Sequence, residues 1–179
     1  MPVDTLEARA AALLGNAAGA AAAVEQAARR REAVEPDDLD ELGGLLTFPA
    51  EKELYYRVET QVLLGQGATG TATGAAAEQA VAAFSDPDAP FWAFGDEAGA
   101  RCNLAVVHLH DELDGTVDAL RPVLDLPPGQ RNRGIVVSAQ HVHRALGHSP
   151  ARTSHLARDF REEITQYAPT TPPAAALPR

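Results

Sequence analysis

Apolar residues recur every three or four positions along almost the whole chain, and this helical period restricts the fold more than any other feature of the sequence. Glycine, proline and acidic turns divide the 179 residues into helix-length segments. The only run of β-branched residues, 135–137, is three residues long and lies inside a helical stripe. No segment shows the sustained alternation of a half-buried strand. The sequence therefore predicts an all-α fold.

Eight segments carry the helical period, and glycine, asparagine or proline stands near most of their ends. Asp4 is in position to cap the first segment, and Ser149 with Pro150 is in position to open the last. The predicted helices cover approximately residues 5–14, 18–34, 51–64, 75–84, 97–109, 114–124, 131–146 and 151–167.

The segments between and after these helices define the expected domain. Proline and like charges make residues 36–49 a long connection, and four glycines make residues 65–74 a turn. We expect one helical-repeat domain over residues 1–168. Residues 169–179, rich in proline and alanine, are expected to form a disordered tail.

Short turns between successive segments favour antiparallel hairpins. Ala80 and Phe84 reproduce the spacing of a small and a large residue in the second helix of a tetratricopeptide repeat, where two helices approach closely. Ala80 and Ala119 are 39 residues apart, whereas the standard unit has about 34. The prediction is a degenerate, tetratricopeptide-like superhelix of helical hairpins.

Four stretches resemble the C-terminal helical region of actinobacterial Xre-type helix-turn-helix transcriptional regulators, and together they cover nearly the whole chain. They are LGGLLTFPAEKELYYRVETQVLLG (42–65), FGDEAGARCNLAVVHL (94–109), LRPVLDLPPGQRNRGIVVSAQHVHRAL (120–146) and ARDFREEITQYA (157–168). In that family a DNA-binding domain precedes a tetratricopeptide-like regulatory domain. The resemblance implies a regulatory domain, but this sequence lacks the helix-turn-helix. We expect either a truncated or separately encoded relative, or a coding start that lies downstream of the family's DNA-binding domain.

Charge and composition exclude several classes of protein. The net charge of −10 argues against a general nucleic-acid binder, and we expect no specific DNA binding by this chain. The distribution is uneven, because residues 1–120 carry 7 basic and 21 acidic side chains and residues 121–179 carry 8 and 4. This asymmetry can mark a docking surface for an acidic partner; alternatively, the two parts complement each other within one fold.

Cellular location is inferred from what the sequence does not contain. Cys102 is the only cysteine, which excludes an intramolecular disulfide framework and a thiolate-rich zinc finger. No apolar run approaches the ~18–20 residues of a membrane span, and the first residues lack the features of a signal peptide. We expect a cytoplasmic protein without cofactor or membrane association, and homodimerisation is open.

Candidate catalytic and metal-binding residues are weakly supported. In a helix the two members of an H-x-H pair point about 200° apart, so neither pair chelates one ion alone. His110 with Asp111 and Asp114 could form a metal site, but exposed turns of this type are usually only solvated. Cys102 lies in an apolar stripe and is expected to be a buried small hydrophobic residue. The glycine-rich turn lacks the G-K-[ST] sequence of a phosphate loop.

Repeat hairpins create a concave face lined mainly by the first helix of each pair, which predicts a groove for a ligand or partner. We therefore expect a non-enzymatic regulatory or interaction domain that binds a protein, a peptide or a small signalling ligand. The alternatives are an interaction scaffold without a regulatory role and a small-molecule-processing enzyme that uses His143 or Cys102. The candidate groove residues are Tyr56, Glu59, Trp92, Arg101, Asn103 and His143.

Overall fold

A computed structural model describes residues 2–33, 48–65, 71–109 and 113–167. These residues form eight α-helices and two short 3-10 helices, and none of them lies in a β-strand, which confirms the all-α prediction. The 3-10 helices are Pro128–Gln130 and Pro150–Thr153. The α-helices are α1 (Pro2–Leu13), α2 (Ala17–Glu32), α3 (Ala50–Leu63), α4 (Thr71–Ala83), α5 (Phe94–His108), α6 (Leu113–Leu124), α7 (Arg133–His148) and α8 (His155–Tyr167).

Several sequence predictions concern residues outside these ranges. They are the connection up to residue 47, residues 66–70 of the glycine-rich turn, His110 and Asp111, and the tail at 169–179. One prediction at an edge of the described ranges is wrong. Residues 71–74 were expected to belong to a turn, but they form the first turn of α4.

The turn between α1 and α2 is built by Gly15 and Asn16. Gly15 has a φ of 71°, which glycine adopts without steric cost, and its N–H donates to the carbonyl of Ala12 at 2.9 Å. The Asn16 side chain then accepts from the N–H of Gly19 at 2.9 Å and caps α2. The expected cap of the first helix is wrong, because α1 begins at Pro2 and Asp4 already lies in its first turn.

The predicted start of the last helix is also wrong. The hydroxyl of Ser149 donates back to the carbonyl of Leu146 at 3.0 Å instead of capping a new helix. The 3-10 helix that begins at Pro150 follows, and α8 begins at His155. The hydroxyl of Ser154 accepts from the N–H of Ala157 at 3.1 Å at this start.

Consecutive helices pack as pairs, namely α1 with α2, α3 with α4, α5 with α6 and α7 with α8. The first helices of these pairs also contact one another in chain order, from α1 to α3, α3 to α5 and α5 to α7. Helix α5 has the most buried residues, including the run from Ala98 to Ala100 and from Cys102 to Val107. Helices α3, α4, α6 and α7 all pack against α5. None of the helices in the described ranges is long and apolar enough to span a membrane.

Two apolar clusters form the core. The larger contains residues of α3 to α8, with Leu120, Ile135 and Leu146 among its fully buried side chains. The smaller consists of Tyr55, Ala80, Phe84 and Ala100. Neither cluster includes a residue of α1 or α2. The buried apolar residues of that hairpin, as far as the structure describes it, are all alanines: Ala8, Ala12, Ala20, Ala23 and Ala27.

Replacing Ala80 by leucine is expected to lower the free energy of unfolding by about 1–3 kcal/mol. Ala80 is 1% exposed and lies in the smaller cluster beside Tyr55 and Phe84, so the added atoms have no free space. Urea denaturation of the variant and the unmodified chain measures the difference. The exposed Ala82 on the same helix supplies the control, because Ala82→Leu should change the midpoint little. An equal midpoint for both variants would contradict the packing at Ala80.

Candidate ligand-binding cleft

The first helices of the four pairs enclose a cleft with two adjoining chambers. The inner chamber has a volume of about 120 Å³, and the wider outer chamber has a volume of about 530 Å³. Helices α1 and α3 line one side, α5 lines the floor, and α7 lines the other side. Four residues border both chambers: Arg9, Glu59, Val137 and Ser138.

An ion pair between Arg9 of α1 and Glu59 of α3 stands at the junction of the chambers. Arg9 Nη2 donates to Glu59 Oε1 at 2.9 Å, and Arg9 Nε lies 2.7 Å from Oε2 at an angle unsuitable for a hydrogen bond. The guanidinium also lies 4.8 Å from the centroid of the Tyr56 ring. Burial raises the pKa of Glu59, and Arg9 opposes that shift. The pair therefore connects the N-terminal hairpin to α3 on one side of the cleft.

Asn103 of α5 lines the inner chamber and is only 8% exposed. Its amide nitrogen Nδ2 has no hydrogen-bond partner among the residues that the structure describes. A buried donor left without an acceptor costs about 1–3 kcal/mol, and such groups are rare in folded proteins. A residue that lines the inner chamber therefore carries a donor for which the described part of the chain provides no acceptor.

Helix α7 places three polar side chains along the inner chamber, namely Ser138, His141 and Arg144. They are spaced three residues apart, so they share one face of the helix. Burial and the neighbouring Arg144 lower the pKa of His141. The imidazole is therefore neutral at pH 7 and can act as a donor or an acceptor.

Three of the predicted groove residues line the cleft, two line a separate groove, and His143 lines neither. Tyr56 lines the outer chamber, Asn103 lines the inner chamber, and Glu59 lines both. Trp92 and Arg101 do not reach this cleft. They line a separate groove of about 330 Å³, which shares no lining residue with the cleft.

Glu97 accepts hydrogen bonds from one aromatic and one basic residue of this second groove, Trp92 and Arg101. The indole Nε1 of Trp92 donates to Glu97 Oε2 at 3.2 Å. Arg101 donates to Glu97 Oε1 from Nε at 3.0 Å and from Nη2 at 2.9 Å. Arg101 and Asn103 are therefore not members of one site, although both lie on α5.

His143 lines neither the cleft nor the second groove. Burial lowers its pKa, and Arg161 of α8 contributes to the shift, so the residue lies near α8. His141, which was not among the predicted groove residues, lines the cleft. The shared helical face of Ser138, His141 and Arg144 was the signal that could have identified it.

Cys102 borders the inner chamber but is 2% exposed, in agreement with the expected buried position. Burial, with a smaller contribution from Glu59, raises the pKa of the Cys102 thiol to about 12. The thiolate, not the thiol, is the nucleophile. Cys102 is therefore protonated at neutral pH and is poorly suited to nucleophilic chemistry.

We expect Cys102 to resist alkylation by iodoacetamide in the folded protein. At pH 8 a thiol with a pKa of about 12 has on the order of a thousandfold less thiolate than a free cysteine. Mass spectrometry of the folded and the urea-unfolded chain measures the two rates, and the unfolded chain is the control. Equal rates would show that the thiol is accessible and ionised.

Across the described ranges, no group of three or more histidine, cysteine, aspartate or glutamate residues is arranged to hold a metal ion. Comparison of the chain with protein-family models, with curated proteins and with solved structures finds no match.

Proposed function

We propose that this chain is a non-enzymatic regulatory domain that binds a small ligand in the cleft between α1, α3, α5 and α7. The observation that carries the proposal is the buried, unpaired amide nitrogen of Asn103, a residue that lines the inner chamber. An evolved binding site often leaves a polar group unsatisfied until the ligand arrives, and stability is lost in exchange. A ligand acceptor at Nδ2 accounts for this group.

The arrangement of the helices supports a tetratricopeptide-like superhelix. Helices α1, α3, α5 and α7 contact one another in chain order, as the first helices of stacked repeats do. They also line the cleft, as expected for the concave face of such a superhelix. The resemblance to the regulatory region of Xre-type transcriptional regulators is the basis for a role in regulation without direct DNA contact.

A ligand in the cleft can act on the N-terminal hairpin through Arg9. This residue belongs to α1, borders both chambers and pairs with Glu59 of α3. Binding that changes this ion pair changes how α1 is held against α3. Through this ion pair, ligand binding in the cleft can move α1 relative to α3.

An interaction scaffold is the second candidate, because the separate groove presents apolar and aromatic side chains. Phe94 is 39% exposed, and Trp92, Pro122 and Leu126 lie in the same groove. Aromatic and arginine side chains frequently dominate the binding energy of protein interfaces. Trp92→Ala tests this groove without altering the cleft.

The proposed function is tested by closing the cleft with a large side chain. Val137 borders both chambers and is 50% exposed, so Val137→Trp can fill the cleft without disturbing the core. Gln140→Trp is the control, because Gln140 is exposed on the same helix and lines neither chamber. A metabolite library is screened by thermal shift, and hits are measured by calorimetry.

We expect at least one compound to stabilise the unmodified chain and Gln140→Trp, but not Val137→Trp. At a ligand concentration of 100 Kd the stabilisation is about 2.7 kcal/mol. Binding that persists in Val137→Trp and disappears in Trp92→Ala would assign the function to the second groove. A library with no hit that depends on Val137 would contradict a ligand-binding cleft.

A further inference from the structure

We infer that the ligand of the cleft is a small organic carboxylate with a short apolar body. The inference depends on the proposed function, because it assigns a chemical class to the ligand of that site. Three independent properties of the cleft support it, namely the balance of its charges, the polarity of its unpaired donor and the apolar walls of its inner chamber.

The charged side chains that line the cleft include more cations than carboxylates. Both carboxylates already have a cation, because Glu59 pairs with Arg9 and Asp96 lies 3.0 Å from Lys52 Nζ. Arg133 and Arg144 also border the cleft, and within the described ranges neither has an ion-pair partner. Two guanidinium groups are thus available to an anion, although the whole chain has a net charge of −10.

The uneven distribution of charge between residues 1–120 and 121–179 is also seen in the ion pairs of the structure. Among the residues that the structure describes, every ion pair joins two residues of 1–120 or two residues of 121–179. Within the described residues, the two parts therefore do not neutralise each other through ion pairs. The cleft is lined from both parts, with Arg133 and Arg144 on α7 facing α1 and α3 across it.

The unpaired amide nitrogen of Asn103 favours a ligand atom that accepts hydrogen bonds. Nδ2 carries two N–H donors, and Arg144 adds more donors in the same chamber. A carboxylate is acceptor-only when ionised and has about four lone-pair sites, so one group can accept from both side chains. An ammonium group has donors only, and Arg133 and Arg144 would repel it. The charge of the cleft and the donor of Asn103 therefore favour the same ligand group.

Apolar side chains cover much of the remaining surface of the inner chamber. Leu13 of α1, Val62 and Leu63 of α3, and Val106 of α5 line it together with Val137. With a volume of about 120 Å³, the chamber limits the ligand to a short body. Each methylene that is buried there should tighten binding by about fourfold until the space is filled. A short aliphatic acid combines the required anionic group with an apolar chain that can pack against this surface.

The test uses the ¹⁵N-labelled full chain and three probes of equal length: butyrate, butyramide and n-butylammonium. The readout is the Asn103 side-chain amide signal, which is assigned by its absence from the spectrum of Asn103→Leu. We expect butyrate to shift this signal in a saturable manner and the other two probes to leave it unchanged. Arg144→Gln should weaken the butyrate affinity about tenfold. Arg152→Gln is the control, since Arg152 is exposed and outside the cleft.

The possible outcomes separate this inference from the proposed function. If butyramide or n-butylammonium binds at Asn103 as tightly as butyrate, the carboxylate assignment is wrong, but the cleft remains a ligand site. An unchanged butyrate affinity in Arg144→Gln would also overturn the carboxylate assignment. If no probe shifts the Asn103 signal and no library compound depends on Val137, both proposals fail together.

Discussion

Replacing Gly99 by alanine is expected to lower the free energy of unfolding by about 1–3 kcal/mol. A Cβ at this position of α5 would lie 2.8 Å from Cζ and 3.1 Å from Cε2 of Tyr55, with the hydroxyl oxygen closer still. Tyr55 is buried in the smaller cluster with Phe84 and cannot move away freely. The added methyl group therefore forces a displacement of α3 against α5. Denaturant unfolding measures the loss.

Two further variants control the Gly99 prediction. Gly74→Ala places a methyl group in α4, where the only contact among the residues that the structure describes is Val107 Cγ1 at 4.0 Å. That variant should gain about 0.5–1 kcal/mol, because glycine is unfavourable inside a helix. Tyr55→Phe removes the atom closest to the new methyl group and should recover part of the loss when combined with Gly99→Ala. Destabilisation of the same size at both glycines would refute a specific contact with Tyr55.

Replacing Asn103 by leucine is expected to raise the free energy of unfolding by about 1–2 kcal/mol and to abolish ligand binding. The gain follows because the unpaired Nδ2 carries a desolvation cost that an apolar side chain of similar size does not. The loss of binding follows because the acceptor of the ligand no longer has a donor. Thermal unfolding and calorimetry with the identified ligand measure the two effects.

The opposite signs of these two effects separate a binding residue from a structural one. A structural asparagine would lose stability when replaced by leucine. Asn103→Asp keeps the shape but exchanges the donor for an acceptor, so it should also fail to bind a carboxylate. If Asn103→Leu is less stable than the unmodified chain, Nδ2 has a partner in the folded protein, and the basis for the cleft proposal is removed.

The helices could be predicted from sequence because their apolar stripes are long. Phe160 and Ile164 of α8 are buried at the spacing that predicts the helix. Leu156, the expected third member of the stripe, is instead 37% exposed. The chain forms a 3-10 helix at Pro150–Thr153 and α8 begins only at His155, so Leu156 lies in the first turn of α8. Helix ends depend on such local hydrogen bonds, which the apolar period does not encode.

The candidate site was predicted only in part, and the reasons are physical. The concave-face argument selected Tyr56, Glu59 and Asn103, which do line the cleft. It could not assign Arg9, because this residue reaches Glu59 across a distance of fifty residues in the chain. It selected His143 instead of His141. The two histidines occupy different faces of α7, and the polar Ser138 and Arg144 on the face of His141 were not used to choose between them.

The alanine-only burial of the α1–α2 hairpin has a consequence for hydrogen exchange. A buried methyl group contributes far less than a buried leucine or phenylalanine, so this hairpin has little apolar area holding it to α3. Much of its attachment is by ion pairs, Arg9 with Glu59 and Arg31 with Glu53, and ion pairs of this kind weaken as salt is added. The amides of α1 and α2 should therefore exchange through a local opening well before those of α5, and at a rate that increases with ionic strength. Because Arg9 and Leu13 form one wall of the inner chamber, each such opening also exposes the cleft to solvent, so a bound ligand would slow exchange in a hairpin that lies mostly outside the cleft.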